Sequence, residues 1–132
     1  MNGTPMKVML VEDSPRVRQS IKHMLSEIAG VVVSGEFSAA GEAIRGIDLL
    51  RPHLIILDIG LQNSNGLDVL SHVQAVHPDI RTIVFSDRTS DEYQTRISQL
   101  GATHFFNKTG ETESLFNAVV AMSVQSAQAA GN

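Results

Sequence analysis

Five short apolar runs, at residues 8–11, 31–33, 54–57, 82–85 and 103–106, alternate along the chain with five stretches of helical period. The runs are too short for helices and rich in β-branched residues, so they read as buried strands. The stretches between them carry apolar stripes: Val17, Ile21, Met24, Leu25 and Ile28; Ala40, Ala43, Ile44, Ile47 and Leu50; Leu67, Leu70, Val73 and Val76; a thinner Tyr93, Ile97 and Leu100; and Leu115, Ala118, Val119 and Met122. Punctuation agrees with this division. Ser14-Pro15 is a capping residue followed by proline at the first helical position. Gly30 and Gly101 stand where the first and fourth helices should stop, and Asn65-Gly66 marks a turn before the third. Strict strand–helix alternation requires right-handed crossovers and a parallel sheet with helices on both faces.

A chain of 132 residues suits a single domain, with a core of about 7–124, a loose start at 1–6 and a frayed helix end or tail over 123–132. Its formal net charge of −4 and lack of a basic run disfavour direct nucleic-acid binding. Without cysteine there is no disulfide or thiolate metal site. No apolar run approaches the length of a membrane span and no signal peptide is visible, so a cytoplasmic protein is expected.

Open α/β sheets place their ligands at the C-terminal ends of the strands. There the first run is followed by Glu12-Asp13, the third by Asp58 and the fourth by Ser86, while Lys108 lies just past the fifth. If the first and third strands are neighbours, three carboxylates meet. Such a cluster is costly without a cation. Magnesium, which prefers oxygen donors and keeps several waters, is the expected partner, with manganese as an alternative. Asp13 and Asp58 would be direct ligands, Glu12 a ligand through water, and the Gly60 backbone carbonyl a further oxygen. Lys108 and the Ser86 hydroxyl suit the oxygens of a phosphoryl group, and a carboxylate is an accepted phosphoryl nucleophile.

These residues, with Leu54-Ile55-Ile56-Leu57-Asp58, Gly66-Leu67-Asp68-Val69-Leu70 and Gly101-Ala102 through Phe105-Phe106-Asn107-Lys108, resemble the response-regulator receiver family of two-component systems from about residue 7 to 124. The resemblance implies a flavodoxin-like, doubly wound sheet of five parallel strands in the order 2-1-3-4-5, with five helices. It implies that Asp58 is the phosphoacceptor and that a histidine kinase or phosphotransfer protein is the donor. Ser86 would be the switch hydroxyl and Phe105 the switch aromatic. The output surface would be the face of the fourth helix, fifth strand and fifth helix, meeting a target protein or a second copy. Such a protein is not an enzyme beyond magnesium-dependent self-phosphorylation and slow autodephosphorylation.

Three positions depart from the family pattern. Gln62 stands where proline is frequent, which predicts a more mobile loop over 60–65. Thr109 follows Lys108 where proline with a cis bond is frequent; a cis bond before threonine costs ~2.5–4 kcal/mol, so trans is expected. Asp87 follows the switch hydroxyl where a small residue is common. It should repel a dianionic donor unless it turns away to pair with Arg88.

Other readings fit less well. A flavin binder of the same fold would hold its phosphate where Glu12-Asp13 would repel it. A dehalogenase-type phosphatase would carry a second aspartate at the position of Gly60. A phosphorylation-independent binding module, or a receiver excised from a longer transcriptional regulator, remain alternatives. The five histidines (His23, His53, His72, His77, His104) show no ligand spacing, and His23 does not sit in the helical bundle that a phosphotransfer histidine requires.

Overall fold

All four residues of the third run are buried, and so are those paired with it on either side except Arg81, which is what a central parallel strand requires. A computed structural model describes residues 4–130, with side chains through 127. The elements are β1 (Met6–Val11), α1 (Pro15–Ser26), β2 (Val31–Phe37), α2 (Ala40–Leu50), β3 (Leu54–Leu57), α3 (Gly66–Val76), β4 (Arg81–Ser86), α4 (Asp91–Gln99), β5 (His104–Asn107) and α5 (Thr112–Ala130). The strands form one parallel sheet in the order 2-1-3-4-5, as the resemblance implied.

Strand alternation divides the core into two layers. Met9, Val11, Ile55, Leu57 and Val84 face Ala43 and Ile47 of α2, Val69, Leu70 and Val73 of α3, and Ile97 of α4. Val8, Leu10, Leu54, Ile56, Ile83 and Phe85 face Ile21, Met24 and Leu25 of α1, and Leu115, Val119 and Met122 of α5. The helix starts follow their caps: Ser14 Oγ accepts from the Val17 N–H at 3.3 Å, Asn65 Oδ1 from Leu67 N–H at 2.9 Å, and Ser90 Oγ from Tyr93 N–H at 3.4 Å. Helix α4 is the least anchored, with Ile97 its one buried residue.

The structure moves several expected boundaries. Strand β2 continues four residues past 33, to Phe37. Its pairing with β1 shifts register between Val8 and Met9, so that Ser34 is the extra residue of a bulge. Polar Ser34 and Glu36 disguised this edge strand; Glu36 pairs with Lys22 at 2.9 Å and Arg18 at 3.6 Å of α1. Helix α1 stops at Ser26, well before Gly30, whose φ of +80° instead serves the entry to β2. Gly101, at φ +84°, does follow the end of α4 as expected. No frayed tail begins at Ser123: α5 runs on to Ala130, and its own Met122 and Ser123 are buried. The expected loose start falls partly on residues 1–3 and the tail partly on 131–132, both outside the described residues, whereas Met6 already belongs to β1.

One glycine sets the distance between α3 and the end of β3. A Cβ on Gly66 would stand 2.6 Å from Ile59 Cα and against the Asp58 carbonyl, both backbone. Gly66→Ala should therefore destabilise the fold by roughly 1–3 kcal/mol through overpacking. Gly41→Ala on α2, where the nearest atom is the flexible Arg45 guanidinium at 3.7 Å, should be neutral or stabilising by up to about 1 kcal/mol. Urea midpoints of the two variants check the contrast.

Candidate functional site

The topology places the ends of β1 and β3 side by side, with the Asp58 N–H donating to the Val11 carbonyl at 2.9 Å. Glu12, Asp13 and Asp58 each offer a carboxylate oxygen, and these oxygens lie within 4.8 Å of one another. Glu12 and Asp58 are buried, at 2% and 6% exposure, and Asp13 is half-buried. From the far side of the sheet Lys108 reaches over β4. Its Nζ lies 2.7 Å from Glu12 Oε1 and 3.0 Å from Asp58 Oδ2.

One further oxygen of each carboxylate accepts from backbone. Gly60 N–H donates to Asp58 Oδ1 at 3.0 Å, Ser14 N–H to Glu12 Oε2 at 3.1 Å, and Gln62 N–H to Asp13 Oδ2 at 2.6 Å. Burial pushes the Glu12 carboxyl above the usual carboxylate range, with the Asp58 charge adding to the rise; the bonds from Lys108 and Ser14 only partly offset them. For Lys108 burial works toward a lower value, but the bonds to Glu12 and Asp58 outweigh it and raise its pKa, so the ammonium stays charged. Ser86, at the end of β4, is fully buried, and its Oγ accepts from the Arg88 N–H at 3.2 Å. Phe105 is half-buried and packs against the layer that holds α4, lining a cleft of about 200 Å³ with Thr89, Gln94, Asn107 and Glu111.

The departures from the family pattern have local explanations. The loop over 60–65 is tied rather than loose: beside the Gln62 bond, Ser64 Oγ accepts from Ala40 N–H at 2.9 Å and Gly66 N–H donates to the Ile59 carbonyl at 3.1 Å. The peptide bond before Thr109 is trans, as expected. Asp87 does not pair with Arg88. It accepts from the Thr109 N–H at 3.1 Å and the Thr109 hydroxyl at 3.0 Å, which ties the β4–α4 loop to the β5–α5 loop. The Arg88 side chain instead lies over Gly60, its Nε only 2.8 Å from where a Cβ there would be. A proline at 62 or 109 would lack the N–H these bonds use.

The histidines show no ligand spacing along the chain, yet His72 and His77 both aim Nε2 at Asp48 Oδ1, each at 2.7 Å.

A doubly wound sheet with an acidic trio and a lysine at its strand ends is the arrangement of a receiver domain. Residues 8–120 match the response regulator receiver domain family, and the chain belongs to it. It is 29% identical over 102 residues to the response regulator GacA of Pseudomonas syringae pv. syringae (strain B728a), covering 77% of this chain and 48% of that protein. With the nitrate/nitrite response regulator protein NarL of Escherichia coli (strain K12) it shares 30% over 118 residues, covering 89% and 55%. The chain thus spans about half the length of these curated relatives. Among solved structures, a LuxR-family two-component response regulator from Aurantimonas sp. SI85-9A1 matches with a TM-score of 0.83 at 23% identity, covering 92% of this chain and 86% of that one. The response regulator domain of Thermotoga maritima CheB matches at 0.74 and 24%, covering 96% of each. At these identities the structural likenesses speak for the fold. Among the described residues no helix is long and apolar enough to cross a membrane.

The shared lysine makes a direct prediction. Lys108→Met leaves Glu12 and Asp58 buried together without their cation, which should cost about 2–4 kcal/mol at pH 7 in the presence of a chelator. The Glu12 carboxyl, already raised by burial, would lose the offsetting bond from Lys108 and rise further above its unfolded value. Its ionised form costs stability at neutral pH, and the cost is relieved as pH falls through that raised value. Urea unfolding at pH 7 and pH 5 should show the variant's deficit shrinking at the lower pH.

Proposed function

We propose that this chain is a phosphoacceptor response regulator, in which Asp58 takes a phosphoryl group from a phosphohistidine on a histidine kinase or phosphotransfer protein. The observation that carries this reading is the single Lys108 ammonium shared by two buried carboxylates, with a third carboxylate beside them. In the transfer, an Asp58 carboxylate oxygen attacks phosphorus. The bond from phosphorus to the donor imidazole nitrogen breaks, and its electron pair stays with that ring. No general base is needed, because the nucleophile is already an anion, and catalysis is positioning and charge neutralisation. Lys108, freed from the oxygen that becomes esterified, pairs with a phosphoryl oxygen, and the Ser86 hydroxyl donates to another.

The donor set fits magnesium: only oxygen ligands, three carboxylates close together, and an edge open to water at Asp13. Asp13, Asp58 and the Gly60 carbonyl would hold the ion directly and Glu12 through water, with manganese an alternative. When bound, it supplies positive charge against the three carboxylates and the phosphoryl oxygens. The chain itself is not an enzyme in this reading, apart from self-phosphorylation by small donors and slow loss of the group.

Output is assigned to the face formed by α4, β5 and α5. Movement of Ser86 toward the phosphoryl group would let Phe105 turn inward, and α4 has few buried contacts to resist. A target protein or a second copy would bind there; the site chemistry offers nothing to nucleic acid or membrane. With acetyl phosphate and magnesium, intact-mass spectrometry should show one added phosphoryl group on the wild type and none on Asp58→Asn. Undiminished labelling of the variant would overturn the assignment. Amide shifts on adding beryllofluoride, which mimics the aspartyl phosphate, should reach α4, β5 and α5; shifts confined to α1 and α2 would contradict the output face.

A further inference from the structure

We propose that Asp48, His72 and His77 form a second metal site, for a zinc-like divalent transition ion, that clasps α2 to α3. Asp48 lies in the last turn of α2, His72 in α3, and His77 at the C-cap of α3. The two imidazoles meet edge to face, with ring centroids 5.8 Å apart and planes at 67°. Their Nε2 atoms converge on one Asp48 oxygen, at 2.7 Å each.

Two imidazole nitrogens and a carboxylate oxygen are a donor set that zinc takes and magnesium does not. Around a tetrahedral zinc, with bonds of about 2.0–2.2 Å, neighbouring donor atoms stand about 3.3 Å apart. Each Nε2 therefore needs to draw back from the Asp48 oxygen by only about half an ångström to admit the ion. The Asp48 side chain is 48% exposed, which leaves room for water in the fourth position, while the His77 side chain is 6% exposed and held by its surroundings. A metal on Nε2 would leave each ring its proton on Nδ1.

The helix ends favour a cation here. Neither α2 nor α3 has a basic residue in its last turn, so their carbonyl ends present partial negative charge. Arg51, just past α2, offsets part of this at the Asp48 carbonyl, to which its Nε donates at 3.2 Å. The cluster lies at the opposite end of the strands from Asp58, so its occupancy and the phosphoacceptor chemistry can be read separately.

The test is zinc titration of the full chain in a non-coordinating buffer, with millimolar magnesium present to fill the acidic pocket. One zinc should bind. The imidazole ¹⁵N signals of His72 and His77 should shift while those of His23, His53 and His104 stay. The thermal midpoint should rise by about 5 °C or more at a hundredfold excess over Kd. Asp48→Asn and His72→Gln, both at accessible positions that spare buried His77, should each weaken binding tenfold or more and abolish the thermal shift. If the His72 and His77 signals do not move at millimolar zinc, the cluster is a hydrogen-bonded clasp only. Saturable binding that persists in both variants would place the zinc elsewhere and overturn the proposal equally.

Discussion

Two buried carboxylates share one ammonium, and the strand ends depend on that sharing. Glu12 closes β1, Asp58 follows β3, and Lys108 arrives from beyond β5, bonded to both. Remove the charge of Lys108 and the centre of the sheet holds two anions that repel one another. Keep it, and the end of β5 is fastened to the middle of the sheet across β4. The energy that holds the loops in place is therefore stored in a contact that phosphorylation of Asp58 would have to rearrange. In the proposed reaction Lys108 exchanges a carboxylate oxygen for a phosphoryl oxygen, so the β5–α5 loop responds directly to the chemistry.

A second tie lies beside the first. Thr109, next to Lys108, donates twice to Asp87, next to Ser86. The lysine and the hydroxyl proposed to contact the phosphoryl group thus sit on loops stitched together one residue further on. Displacing either loop strains the other, which couples the pocket to β5 and to the lightly anchored α4. Gln62 plays the corresponding part on the β3–α3 loop, where its N–H orients Asp13. Both ties use backbone N–H groups that proline would not have.

Much of this was legible in the sequence, for a definable reason. Glu12, Asp13, Asp58, Ser86 and Lys108 each follow an apolar run closely, and a parallel α/β sheet brings all such positions to one edge. Which atoms bond to which was not legible. Asp87 could face the donor or Arg88 as easily as Thr109, because side-chain direction in a loop is set by its neighbours in space. Strand β2 was read short because a bulge and an edge position allowed polar Ser34 and Glu36 inside it. The histidine cluster escaped because Asp48 is 24 residues from His72 and 29 from His77. The five-residue step between the two histidines fits no helical face; it works because His77 leaves the helix, at φ −132° and ψ 62°.

The central claim is chemical: an acyl phosphate on one carboxylate. Borohydride reduces an aspartyl phosphate to homoserine and leaves a free carboxylate untouched. After phosphorylation, reduction and proteolysis, peptide sequencing by mass spectrometry should therefore find homoserine at position 58, with Glu12 and Asp13 unchanged. Homoserine at position 13, reduction of Glu12, or no reduced residue in a sample whose intact mass carries the phosphoryl group would contradict the account.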